Sequence, residues 1–148
     1  MVRILILCTG NSCRSQMAEG ILKSLDPQLS VYSAGTQPAE QVHPLVIQVM
    51  QEIGIDLSNA RPKSVSQFLN MRFDYVITVC DNARETCPMF PGQVKHFVHL
   101  GFEDPARAKG PPADVLSTFR GIRDQIRQAF TAFYNTHLQP TNSPRNRT

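Results

Sequence analysis

At 148 residues the chain has the length of one domain with a substantial core, and 41% hydrophobic with 18% charged residues suits a soluble globular protein. A net charge of +3 is too small to argue for nucleic acid, and no apolar run approaches the roughly 20 residues of a membrane span. Residues 2–7, apolar apart from Arg3, run directly into a turn-rich loop and read as a buried strand, not a signal peptide. A cytoplasmic setting is therefore expected, where four cysteines are catalytic, redox-active or metal-binding sooner than structural bridges.

The loop that follows is Cys8-Thr9-Gly10-Asn11-Ser12-Cys13-Arg14-Ser15. A Cys, five residues, then Arg and Ser is a spacing that wraps backbone N–H groups around a tetrahedral oxyanion. Arg14 can grip that anion bidentately, with the Cys8 sulfur beneath it as nucleophile. Gly10 and Asn11 suit a loop that needs positive φ or close backbone approach. A helix starting near Gln16 would aim its positive end at both anion and sulfur. Such surroundings lower a cysteine pKa from about 8.5 to roughly 3.5–7.5, so Cys8 is expected as a thiolate. A buried Cys beside an ordinary strand–helix turn is the plain alternative, and the joint presence of Cys, Arg, Ser and turn residues speaks against it.

Pro27 breaks the first helix, and residues 31–35 form a second strand. Pro44 opens an amphipathic helix with Leu45, Val46, Val49, Met50 and Ile53 on one face, closed by Gly54. After a connection over 55–62 come a short helix at 65–69 and a third strand at 73–79, with Cys80 at its carboxyl end. Residues 95–100 form a fourth strand despite His96 and His99. A last helix at 113–134 repeats Val115, Leu116, Phe119, Ile122, Ile126, Phe130 and Phe133 at helical spacing, a core stripe. The domain is expected over 1–136, with 137–148 a disordered tail. Strands alternating with helices predict a three-layer α/β fold, a four-stranded parallel sheet flanked by helices. Its chemistry would sit at the carboxyl strand ends, where Cys8, Cys80 and the loop after the fourth strand fall.

The ordered landmarks CTGNSCRSQMAEG, VYSAG, GIDLSN, VITVCDNARETCP and GFEDPA, with the final helix, resemble the low-molecular-weight tyrosine phosphatase superfamily, and within it the thioredoxin-coupled arsenate reductases. Gln16 stands where the phosphatases usually carry Pro. Asp104-Pro105 is followed by Ala106 and Arg107 without the phosphatases' aromatic, and a phosphatase has no need of Cys80 and Cys87. The resemblance implies that Cys8 attacks arsenic while Arg14 and the N–H groups of residues 9–15 stabilise the oxyanion, and that Asp104 is the general acid, with Glu103 the competing carboxylate. Cys80 would then attack the Cys8 adduct, and Cys87 would resolve the Cys8–Cys80 disulfide to Cys80–Cys87. Seven helical residues would hold Cys80 and Cys87 about 10.5 Å apart along the axis, beyond the ~7 Å a disulfide tolerates, so a helix over 81–86 would have to unwind.

Some relatives hold a structural cation through an Asn, a Glu, a Ser and a further carboxylate. Asn11, Glu19 and Ser33 match the first three, but Lys63 stands at the fourth, and its ammonium is expected in place of a metal. No tightly bound cofactor is implied; the electron donor would be thioredoxin, or else glutaredoxin or glutathione. Cys13 reads as a small buried residue sooner than a redox partner of Cys8. A four-cysteine zinc site fits neither spacing, and the four histidines show no ligand pattern. Two other functions stay open: a phosphatase using Cys8, Arg14 and Asp104 alone, and a non-enzymatic redox or oxyanion sensor. The partners expected are arsenate or phosphate and thioredoxin, with no nucleic acid, no membrane and a monomeric chain.

Overall fold

Four apolar residues in a row, Ile4 to Leu7, can be buried together only in a strand covered on both faces, and all four are fully buried in β1 (Arg3–Cys8). The structure, a computed structural model, describes residues 2–81, 85 and 87–139. β1 pairs in parallel with β2 (Ser30–Gly35) on one side and β3 (Phe73–Thr78) on the other, and β4 (Val94–His99) extends the sheet beyond β3. The strand order is β2-β1-β3-β4, the four-stranded parallel sheet expected from the sequence.

Alternation along β1 divides the core. Ile4, Ile6 and Cys8 pack with Met17 and Ile21 of α1 (Arg14–Leu25), Val46 and Val49 of α2 (Pro44–Gln51), and Phe119, Ile126 and Phe130 of α3 (Pro112–Phe133). Leu5 and Leu7 point the other way, to a smaller cluster with Phe68, Phe73 and Phe90. Phe68 is supplied by the segment expected as a short helix at 65–69, which forms a 3-10 turn over Val65–Phe68.

The differences from expectation have local causes. α1 begins at Arg14, two residues before Gln16, so the anion loop runs straight into the helix. β4 is an edge strand, and Lys95, His96 and Phe97 are exposed, which explains why its apolar pattern is weak. α2 stops at Gln51, and Gly54 closes the turn at φ +81°, where a side chain would be strained. His43, assigned no special role from the sequence, caps α2: its Nδ1 accepts from the Leu45 N–H at 3.1 Å.

The ordered domain reaches past the boundary placed at 136. A π-helical turn continues α3 over Tyr134–Leu138, and Leu138, expected in the tail, is an apolar anchor buried in the main core cluster. The rest of the expected tail, 140–148, lies outside the described residues. No helix among the described residues is long and apolar enough to cross a membrane.

Candidate active site

The carboxyl ends of β1 and β3 lie side by side, with Leu7 opposite Thr78 and the Val79 N–H donating to the Leu7 carbonyl at 3.0 Å. Cys8 and Cys80 are therefore carried at one edge by neighbouring strands. Between β1 and α1 the loop curls back on Cys8. Its carbonyls are engaged on the outside: Thr9, Gly10 and Ser12 accept from the N–H groups of Gln37, Ala39 and His43 at 2.9, 2.9 and 3.0 Å. On the inner side the Asn11 N–H donates to Cys8 Sγ at 3.2 Å.

One amide orients the loop. Asn11 is fully buried in the left-handed region at φ 52°, and its Oδ1 accepts from the Lys63 N–H at 2.8 Å and from Gln16 Nε2 at 3.1 Å. That leaves Nδ2 to donate to Ser15 Oγ at 2.7 Å and Ser33 Oγ at 2.9 Å. Ser15 Oγ, already accepting, can give its own proton to Cys8 Sγ at 2.9 Å. Ser33 in turn donates to Glu19 Oε1 at 2.5 Å. Lys63 Nζ stands 3.7 Å from the same Glu19 oxygen and donates to the Arg61 carbonyl at 3.1 Å. Asn11, Glu19, Ser33 and Lys63, grouped by the sequence comparison with a cation site, thus form one continuous network behind the nucleophile.

Gln16 is more than a replacement for Pro: it also donates to the Asn11 and Arg61 carbonyls at 3.1 and 3.0 Å, tying the loop to residues 61–63. The close backbone approach expected at Gly10 is found at Gly35. A Cβ on Gly35 would lie 2.3 Å from the Thr9 carbonyl oxygen, whereas one on Gly10 would meet only Ser12 Oγ at 3.5 Å. Gly35→Ala should therefore push the loop off β2, costing about 1–3 kcal/mol as overpacking does. Thermal unfolding and phosphate titration of the reduced protein check this, and an unshifted melting temperature with normal phosphate affinity would refute it.

Above the loop is a cavity of about 520 Å³ lined by Cys8, residues 9–13, Arg14, Glu85, Asp104 and Arg107. Arg14 is buried, and its guanidinium donates to the Phe102 carbonyl at 3.0 Å. Asp104 does two things at once. Oδ1 accepts from the Ala106 N–H at 3.0 Å, capping the turn over Pro105–Arg107, while Oδ2 stands 3.8 Å from Arg14. Glu103 does not line this cavity. Cys13 does, but burial pushes its thiol up to about 12, against the hydrogen bond from Ser12, so it is protonated at neutral pH.

Cys80 and Cys87 are joined in a disulfide with Cα atoms 5.7 Å apart, inside the ~7 Å limit and well short of the about 10.5 Å that seven helical residues would span. The helix expected over 81–86 falls mostly on residues outside those described. Glu85 is described, and the sequence reading missed it. Both of its carboxylate oxygens meet the Arg14 guanidinium, Oε1 at 2.9 Å from Nη2 and Oε2 on Nη1, and Oε2 also accepts from the Asp81 N–H at 2.9 Å. The Arg14 bonds hold the Glu85 carboxyl below its ordinary range against partial burial. In this oxidised form a carboxylate takes the bidentate contact that an oxyanion would use.

Residues 3–142 match the family described as low molecular weight phosphotyrosine protein phosphatase. The arsenate reductase of Halalkalibacterium halodurans is 44% identical over 90% of this chain and 95% of its own. Arsenate reductase structures in a phosphate-binding and an oxidised state superpose with TM-scores of 0.72 and 0.75, each at 30% identity over 92% of this chain and 98% of theirs. A thioredoxin-dependent arsenate reductase of Corynebacterium glutamicum matches at TM-score 0.56 and 27% identity, over 90% of this chain and 63% of that one. By sequence and by fold, the chain belongs to the low molecular weight phosphotyrosine protein phosphatase family and groups with its arsenate reductases.

Proposed function

We propose that this protein reduces arsenate to arsenite with the Cys8 sulfur as nucleophile and a disulfide relay through Cys80 and Cys87. The observation that carries the reading is the Cys80–Cys87 disulfide, whose Cys80 lies two residues past the end of β3, the strand next to β1 that carries Cys8. Cys8 attacks arsenic; Arg14 and the amides of residues 9–15 take the developing oxyanion charge, and Asp104 protonates the departing oxygen. Cys80 attacks Cys8 Sγ, the Cys8–arsenic bond breaks with its electron pair on arsenic, and arsenite leaves. Cys87 then attacks Cys80, freeing Cys8. Two thiols supply the two electrons, and an external dithiol returns them.

Thioredoxin is the donor this reading favours over glutaredoxin or glutathione, because an intramolecular disulfide with a half-exposed Cys87 presents itself to a dithiol protein. A relay returned by a dithiol needs a compartment that keeps thiols reduced, which favours the cytoplasm, and the reading needs no residue from a second copy of the chain. A phosphatase is the second reading, favoured by the family match and by a Cys8–Arg14–Asp104 site that needs no relay. The deciding experiment gives fully reduced protein one equivalent of arsenate without reductant, then counts thiols and maps the disulfide. Loss of two thiols with a Cys80–Cys87 bridge is expected; unchanged thiols would leave the phosphatase.

Asp104→Asn should slow the first turnover by about 10²-fold or more, the lower end of what general acids contribute, while phosphate affinity stays nearly wild-type. Rapid-quench measurement of arsenite checks it, and a larger loss in Glu103→Gln would move the acid to Glu103.

A further inference from the structure

We propose that His99 is the acid–base residue of the thiol–disulfide relay: it takes the Cys87 proton as the Cys80–Cys87 bond forms and returns a proton to Cys80 when that bond is reduced. The inference rests on the relay read above and adds to it a residue that sequence reasoning left without a role. His99 ends β4, and one of its ring nitrogens lies within 4.8 Å of both the Cys80 and the Cys87 sulfurs.

Two neighbours set the ring. The Thr78 hydroxyl, across the β3–β4 pairing, bonds Nδ1 at 2.8 Å, leaving Nε2 for proton exchange. Gly101 makes room for the ring: a Cβ there would stand 2.7 Å from Nε2 and 2.8 Å from the Cys80 carbonyl oxygen. His99 is itself exposed and can exchange protons with water. Of the described carboxylates that line the cavity, Glu85 and Asp104 face Arg14, and the Ser15 hydroxyl faces Cys8.

Burial creates the need for such a group. Cys80 is fully buried and Cys87 half-buried, so an incoming thiolate reaches Cys87 and expels Cys80. A thiolate left in a dry position is disfavoured, and a proton delivered as the S–S bond breaks removes that cost. In the forward step Cys87 gives its proton to His99 and attacks Cys80 Sγ; the Cys8–Cys80 bond breaks, and Cys8 leaves as a thiolate held by Ser15 and the Asn11 N–H. In the return step a dithiol reductant bonds to Cys87, Cys80 leaves with the proton from His99, and the reductant's second thiol releases Cys87. The reductant departs as a disulfide, two electrons having passed to the protein.

Protein oxidised with one equivalent of arsenate provides the test. Peptide mapping must first find Cys80–Cys87 in the wild type; if it does not, the relay reading fails on its own account. Reduction of the bridge is then timed with dithiothreitol and with thioredoxin. His99→Ala should reduce about 10²-fold more slowly, as loss of a general acid predicts, and added imidazole should restore part of the rate. Unchanged rates, or a loss that imidazole does not lift, overturn the proposal. Should His99→Ala unfold, Thr78→Val keeps the imidazole without its Nδ1 partner; a several-fold slower reduction is expected, and a wild-type rate overturns the proposal.

Discussion

Cys87→Ser should release about one equivalent of arsenite and then stop, held as a Cys8–Cys80 disulfide that thioredoxin reduces poorly. Cys8 ends β1 and Cys80 follows the end of the neighbouring β3, and in the proposed relay these two thiols supply the two electrons of one turnover. Cys80 is fully buried, whereas Cys87 is half-buried, so without Cys87 no reachable disulfide forms. Phosphoester hydrolysis in the presence of reductant should be little changed, because Cys87 does not line the cavity above the loop. Undiminished multiple turnover with thioredoxin would remove Cys87 from the relay and leave a two-cysteine reductase or a phosphatase.

The oxidised protein should bind phosphate about 10–100-fold more weakly than the reduced protein, and Glu85→Gln should remove most of that difference. The Arg14–Glu85 contact is bidentate and partly buried, and a charge-assisted bond contributes about 1.5–3 kcal/mol, with each 1.4 kcal/mol worth tenfold in affinity. Phosphate must displace the carboxylate to reach Arg14. The pH dependence follows from the lowered Glu85 carboxyl. A depressed carboxylate keeps its bridge above its ordinary pKa of about 4.3 and loses it only as pH falls through the lower folded value. The exclusion should thus be full at neutral pH and fade only on strong acidification. Equal phosphate affinity in both redox states, measured by calorimetry, would show that Glu85 yields Arg14 freely. Arsenite and phosphate would then meet the same site before and after turnover.

What could be read along the chain were features whose cause is local. The strand at β1 follows from consecutive apolar residues, and the anion loop from Cys8, Asn11, Arg14 and Ser15 within a single turn. α3 follows from an aromatic stripe at helical spacing, continued one turn further by Leu138 than that stripe suggested. Asp104 was ambiguous for the same local reason: an Asp before Pro caps a turn anywhere, and only its second oxygen facing Arg14 distinguishes this one.

Contacts between distant segments depended on the sheet. Gly35 meets Thr9 because β2 lies beside β1 in register, and no local rule marks that glycine among the others. Lys63 orients Asn11 from 52 residues away through a backbone N–H, a group that no pattern of side chains displays. Glu85 reaches Arg14 across 71 positions, and His99 reaches the two sulfurs because β4 pairs with β3 and stops beside Cys80. A sequence displays residue types and their periodicity, and those decide which segments become strands and helices. Which carboxylate meets the arginine and which imidazole meets the disulfide is decided by strand order and register, because only these bring groups far apart in the chain within bonding distance.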